Sequence, residues 1–319
     1  VDIDNDGGSG DSPFDSRRFW RTPHDQQANA EQKMGSAANI RNRQIEWGEK
    51  EGIPYDKDKR YSRLEDNLCL QKIHPKTRYE FEQGDGGELK RRGGREPNMH
   101  SLFSSAALAC NFFDYWRDKD AGPLAVALGV DEVRDMRFEQ RFATDVDKSF
   151  PNLDVVLSCG NETIIAVECK FSEPYKGAGK NSIVDAYFPE GEKLWEQHFY
   201  RCQDAAENLR YRYLDAAQLL KHMLGLANSR GTGKPMPYKK WTLLYLWFNP
   251  GGLEADRHEG ETKRFIGEVS RDGKVGGGGK IVEMTYQNLF GRLPKRLNDS
   301  HEEYEKYRAY LCERYFRES

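Results

Sequence analysis

No stretch of about 18 consecutive apolar residues occurs anywhere in the chain, so nothing in it reads as a membrane span. Cysteine is sparse: Cys69, Cys110, Cys159, Cys169, Cys202 and Cys312 are the six among 319 residues, and no two stand in C-x-x-C spacing. The lack of such a pair argues against a structural zinc site, and all six read as reduced thiols of a cytoplasmic protein. The start carries no secretory pattern. A net charge of −3 excludes a uniformly basic coat for nucleic acid, but leaves room for local phosphate-binding patches. With 37% hydrophobic residues and a mean hydropathy of −0.88, the core is expected to be modest and wrapped in polar segments. Two glycine-rich segments, Gly231-Thr232-Gly233-Lys234 and Gly276–Lys280, lack the spacing of a nucleotide P-loop. His100 and Ser105 have no G-x-S-x-G elbow near them, which removes the serine-hydrolase reading.

What the chain does have is Asn152 to Phe171, NLDVVLSCGNETIIAVECKF. Leu153–Cys159 and Thr163–Phe171 are rich in β-branched and apolar residues, and Gly160-Asn161-Glu162 between them predicts a hairpin. If Cys159 pairs with Thr163, Asp154 falls opposite Glu168, with Cβ atoms about 4.5–5.5 Å apart. Lys170, two residues beyond Glu168, then shares their face with Val156, Ile164 and Ala166. Leu153, Val155, Leu157, Ile165, Val167 and Phe171 are expected on the other. Both faces are largely apolar, as in central strands covered on both sides.

Two carboxylates that close repel each other, and one takes up a proton unless a cation intervenes. Mg²⁺ favours oxygen donors, typically one or two carboxylates with waters and a substrate phosphate. Such an ion polarises a phosphoryl oxygen and lowers the pKa of bound water. A lysine beside it can orient that water or stabilise charge building on phosphorus. Asp154, then Glu168-Cys169-Lys170 at the end of the next strand, resembles the PD-(D/E)xK pattern of the restriction-endonuclease-like nucleases. The difference is that Pro151 stands three residues before Asp154 rather than next to it. The resemblance implies an α/β fold with an αβββαβ core, a central mixed sheet flanked by helices. It also implies Mg²⁺-dependent hydrolysis of nucleic-acid phosphodiesters, with Mn²⁺ as a substitute, and metal ligation by Asp154 and Glu168. The Cys169 carbonyl, between the two key side chains, is a further ligand candidate. A wider likeness over roughly residues 98–290 links the chain to bacterial nucleases of restriction or defence. DNA is the expected substrate, and double-strand cleavage favours a two-fold dimer, because one site cuts one strand.

Around the hairpin the expectations are coarser. Residues 1–16 read as a flexible acidic tail, in which Asp2, Asp4 and Asp6 copy only the front of a calcium loop. Residues 17–94 read as an N-terminal extension with a helix over 28–48, and residues 95–319 as the nuclease domain. The loop 84–94 carries Lys90, Arg91 and Arg92, with Arg95 just beyond, and suits closure over a phosphate backbone. His100–Trp116 has helical periodicity and supplies the first core helix, whose single acid, Asp114, sits near its end. The resemblance implies a further acid on that helix, which Asp114 supplies only near its end; Met136–Phe142 alternates like a strand, and its Glu139 is the candidate to replace that acid. Lys176, Lys180, Tyr175, Tyr187 and Phe188 follow the active strand in a loop suited to nucleic acid. The span 191–226 predicts two helices, and Trp241–Phe248 a buried strand. The resemblance implies a place near the scissile phosphate for Gln218, in AAQLLKH. The strand Ile281–Tyr286 and a last helix, Ser300–Phe316, complete the pattern. Two other readings stand beside the nuclease: a non-catalytic nucleic-acid-binding protein on the same fold, and a hydrolase of another phosphate ester.

Overall fold

A computed structural model describes residues 35–84, 87–91, 94, 96–144, 146, 150–176, 211–231, 237–276, 278–297 and 301–316. Asp2, Asp4, Asp6, Arg92, Arg95, Lys180, Tyr187 and Phe188 lie outside them. In chain order the longer elements are α1 (Ser36–Glu51), α2 (Pro75–Gln83), α3 (Ser105–Phe113), α4 (Gly122–Leu128), β1 (Val133–Arg141), β2 (Asn152–Cys159) and β3 (Thr163–Lys170). They continue with α5 (Ala216–Asn228), β4 (Lys240–Trp247), α6 (Leu253–Val269), β5 (Lys274–Val275), β6 (Gly279–Thr285), α7 (Tyr286–Arg292) and α8 (His301–Arg314). The sheet has the order β1-β2-β3-β4-β6-β5. β2 runs antiparallel to its neighbours β1 and β3, β3, β4 and β6 are parallel, and β5 is antiparallel to β6. With α3 before β1 and α5 between β3 and β4, this is the αβββαβ core with a mixed sheet flanked by helices.

The hairpin register is the one that residue pattern predicts. Cys159 pairs with Thr163 and Val155 with Val167. The turn holds Asn161 and Glu162 in the left-handed region, at φ 57° and 53°, and Thr163 N–H closes on the Gly160 carbonyl at 3.2 Å. β4 pairs on both edges and is buried without a break from Leu243 to Trp247, as parallel pairing with helices on each side requires. A Cβ at Gly279 would stand 2.1 Å from the Trp241 ring, so only glycine fits beside that strand.

Two apolar cores lie against the sheet. One gathers Val155, Leu157, Ile165, Val167 and Phe171 with α3 and α8, and the other gathers Val156, Ile164 and Ala166 with α5 and α6. Leu153 departs from expectation and joins the second core. It still pairs with Gln140 of β1, next to Glu139, whose φ of 52° interrupts the regular pleat there. The first core helix also starts later than its periodicity suggests. Ser104 caps it by accepting the Ala107 N–H at 3.1 Å, which leaves His100 in a separate short turn. Among the described residues, no helix is long and apolar enough to cross a membrane.

α6 sets His258 inside the second face, fully buried, with its Nε2 2.9 Å from the Tyr245 hydroxyl and its ring 4.7 Å from that of Trp247. Burial, helped by the Lys170 charge, lowers its pKa from 6.5 to about 3. The folded state therefore resists a proton that the unfolded chain accepts. Stability is full above pH 6.5 and is lost as pH falls from 6.5 toward 3. At about 1.4 kcal/mol per unit, the loss at pH 5 is about 2 kcal/mol. Urea unfolding at pH 7.5 and pH 5 measures it, and His258→Gln should flatten that part of the difference. An equal pH dependence in the variant would contradict the assignment.

Candidate active site

β1, β2 and β3 lie side by side, and their registers bring three acids into one row. Phe138 pairs with Val155 and Gln140 with Leu153, so Glu139 stands at the level of Asp154. Continuing the β2–β3 register by one step places Asp154 at the level of Glu168. The ladder itself stops short, because the Asp154 carboxylate takes the Cys169 N–H at 2.6 Å. In an extended strand a residue's N–H and C=O point the same way. The Cys169 carbonyl therefore also turns toward β2, as a third ligand candidate must.

Lys170 Nζ donates to Glu168 Oε1 at 2.6 Å and to Gln218 Oε1 at 2.8 Å. Gln218 reaches it because Asp215 caps α5, accepting the Gln218 N–H at 3.0 Å, so the first turn of the helix lies over the strand end. His222, one helical turn further, puts Nε2 2.9 Å from Glu168 Oε2. That contact ties the imidazole to the carboxylate and helps to hold the Glu168 charge. Glu168 is 2% exposed and His222 0%, whereas Asp154 keeps part of its surface open.

Burial pushes the Asp154 carboxyl well up, and Glu168 and Glu139 push it further. Burial raises Glu139 to about 7, with the charges of Glu88 and Glu168 adding to it. Burial also works against the Glu168 charge, but Lys170 and His222 outweigh it and hold the group at about 2. The Lys170 pKa is raised despite burial, by Glu168 first and then Asp154 and Glu173. The site is thus one ionised pair set in a surplus of acid, the setting in which a cation is most strongly favoured.

Glu139 holds φ at 52°, unusual for a non-glycine residue inside a strand. Its side chain takes a 3.3 Å hydrogen bond from Asn152 Nδ2, and a Cβ at Gly84 would come within 3.0 Å of its Oε2. Gly84 opens the loop that was expected to bring positive charge. Lys90 and Arg91 are exposed there, Arg91 paired with Glu96, while Glu88 is what acts on Glu139. Burial raises the Glu88 pKa as well. Asp114 is engaged elsewhere, accepting from the His74 N–H and the Thr77 hydroxyl. Tyr175 is buried with its hydroxyl on the Phe248 carbonyl at 3.1 Å, and so supports the strand end rather than facing a ligand. A cavity of about 250 Å³ lined by His74, Asp114, Asp118 and Lys119 adjoins the first core and is not lined by Glu139, Asp154, Glu168 or Lys170.

Among the described residues, no three His, Cys, Asp or Glu side chains already surround one point. The carboxylates of Asp154 and Glu168 and a strand carbonyl are nonetheless all oxygen donors, the set that a hard divalent ion takes while keeping several waters. His222 and Glu88 were not singled out by sequence. His222 stands four residues after Gln218, hence on the same helix face, and that spacing was the available signal.

A family model described as restriction endonuclease associating with ARP matches residues 28–316, most of the chain. No curated protein and no solved structure matches it.

Proposed function

We propose, for a chain that belongs to the restriction endonucleases associating with ARP, a Mg²⁺-dependent endonuclease that hydrolyses DNA phosphodiester bonds and serves in restriction or defence. The observation that carries the reading is the meeting of Asp154, Glu168 and Lys170 at one strand end under Gln218. Asp154, Glu168 and the Cys169 carbonyl would hold the ion, Mn²⁺ substituting for Mg²⁺. When bound, it supplies charge neutralisation at the phosphoryl group and a more acidic water.

Lys170 orients the attacking water and offsets charge on the phosphoryl oxygens. Its fixed position comes from two acceptors on opposite sides, Glu168 on its own strand and Gln218 on α5. Glu139 lies close enough to Asp154 to influence its charge and to hold a water at the ligand row. A two-fold dimer would present one site to each strand of a duplex.

Plasmid DNA incubated with the protein should be cut in millimolar Mg²⁺ or Mn²⁺ and remain intact with EDTA. Binding without cleavage under all metal conditions would favour a non-catalytic role. Faster turnover of a nucleotide or another phosphate ester than of DNA would move the substrate class.

A further inference from the structure

We infer that the cleft at the carboxyl ends of β4 and β6 holds one nucleobase of the substrate, turned out of the duplex, and so gives the chain a base preference beside its cut. The inference deepens the reading above and rests on it, since such a base matters only next to a phosphodiester that is cleaved.

The sheet brings cleft and site together. Lys170 of β3, Trp247 of β4 and Thr285 of β6, which lines the cleft, stand at one level. At about 4.8 Å per strand, Thr285 lies about 10 Å from Lys170. That span is about three base steps of a duplex, at about 3.4 Å each. The carboxyl ends of parallel strands are also where open α/β sheets take their ligands. The rim of the cleft is tied to the Lys170 strand. Phe248 donates its N–H to the Lys170 carbonyl at 2.9 Å. The next residue, Asn249, donates its N–H to Gln287 Oε1 at 3.2 Å and accepts Gln287 Nε2 on its carbonyl at 2.7 Å. Its side chain accepts the Gly251 N–H at 2.8 Å. One hydrogen-bonded frame therefore fixes the cleft relative to the lysine.

The chemistry of the lining suits a neutral ring with amine donors. The cleft is about 410 Å³, within the range of about 300–1,000 Å³ for small-ligand sites. Its lining sets Glu259 and Glu283 against Arg43, an acidic balance that disfavours a phosphate. Tyr315 and Phe316, both buried, supply an apolar wall of rings against which a base can pack. Glu283 Oε2 accepts the Trp247 indole N–H at 3.0 Å, which fixes the carboxylate and leaves Oε1 as an acceptor. Asn288 is exposed at the cleft, and its side-chain amide makes no hydrogen bond among the described residues. A carboxylate only accepts, whereas an amide both donates and accepts. Cytosine, adenine and guanine carry an exocyclic amine for such a set, and thymine does not.

Saturation-transfer NMR on the 319-residue chain, with each of the four deoxynucleosides and EDTA present, tests the cleft without any cleavage. The expected result is saturable transfer to the amine-bearing nucleosides and weaker transfer to thymidine. Asn288→Trp, which fills the cleft, should lower those affinities about tenfold or more. Glu283→Gln, which adds a donor, should raise thymidine relative to the others. In parallel, sequenced ends of a random DNA library cut with Mg²⁺ should show a base preference within about three positions of the cut, altered in both variants. No transfer to any nucleoside, or a preference that both variants leave unchanged, overturns the base pocket, while cleavage keeps the nuclease standing. Transfer that Asn288→Trp abolishes, in a protein that cuts nothing, supports the pocket and overturns the nuclease. If Asn288→Trp does not fold, Glu283→Gln decides alone.

Discussion

Glu168→Gln is expected to lower DNA cleavage by about a thousandfold or more, the scale of losing one electrostatic element of a phosphoryl-transfer site, while leaving the fold close to its original stability. Glutamine keeps the shape and one acceptor for Lys170 Nζ, which donates to Oε1 at 2.6 Å. It removes one negative charge from a row in which burial and Glu168 already push the Asp154 carboxyl up. The fold therefore loses an attraction and a repulsion together. Lys170→Met behaves differently. It also abolishes cleavage, but it leaves Glu168, 2% exposed, as a buried carboxylate without its main partner. Breaking a buried pair from one side costs about 3–5 kcal/mol. The double variant Glu168→Gln/Lys170→Met should recover most of that stability and none of the activity. Plasmid nicking and denaturant unfolding, run on the three proteins, separate chemistry from folding. Cleavage by Glu168→Gln within tenfold of wild type would remove Glu168 from the site, and an unchanged unfolding midpoint in Lys170→Met would remove the ion pair from the stability argument.

The parts of this arrangement that were legible in the sequence are those set by period-2 alternation and a local turn. Val155 to Cys159 pair with Thr163 to Val167 as alternation requires, and that register alone brings Asp154 to the level of Glu168. β4 was legible because WTLLYLW is too short and too apolar for anything but a buried strand. α6 was not. Its inward stripe is Ala255, His258, Thr262, Phe265 and Val269, two of them polar, so apolar periodicity hardly marks it. Glu88 was missed for another reason. It sits in a loop whose basic residues dominate its composition, and only tertiary packing of Gly84 on Glu139 brings it to the acids. The left-handed backbone of Glu139 has no local sequence cue either, since glutamate does not favour that region.

Arg314→Met should destabilise the protein by about 3 kcal/mol or more, and Arg314→Lys should not restore it. Arg314 is 2% exposed, and no acid pairs with it among the described residues. Its Nε donates to Gln44 Oε1 at 2.9 Å, its Nη1 to the Asn67 carbonyl at 2.9 Å and its Nη2 to Asn67 Oδ1 at 2.5 Å. Its guanidinium plane lies 4.3 Å from the centre of the Trp47 ring and 4.8 Å from that of Tyr315. Methionine would keep some apolar contact but strand those acceptors, at about 1–3 kcal/mol for each that stays unpaired. Lysine would keep the charge but not the planar fork, and a compact ammonium is costlier to desolvate. The effect should reach the site. Asn67 Nδ2 also donates to the Met99 carbonyl at 2.6 Å, and the Met99 N–H donates to the Glu88 carbonyl at 3.0 Å. The clasp that joins α1 to α8 thus continues to the loop carrying Glu88. Urea unfolding measures the first effect, and protection of the Met99 amide from hydrogen exchange measures the second. A loss below 1 kcal/mol in Arg314→Met, or full stability in Arg314→Lys, would show that the ring stack and the acceptors are satisfied without the guanidinium.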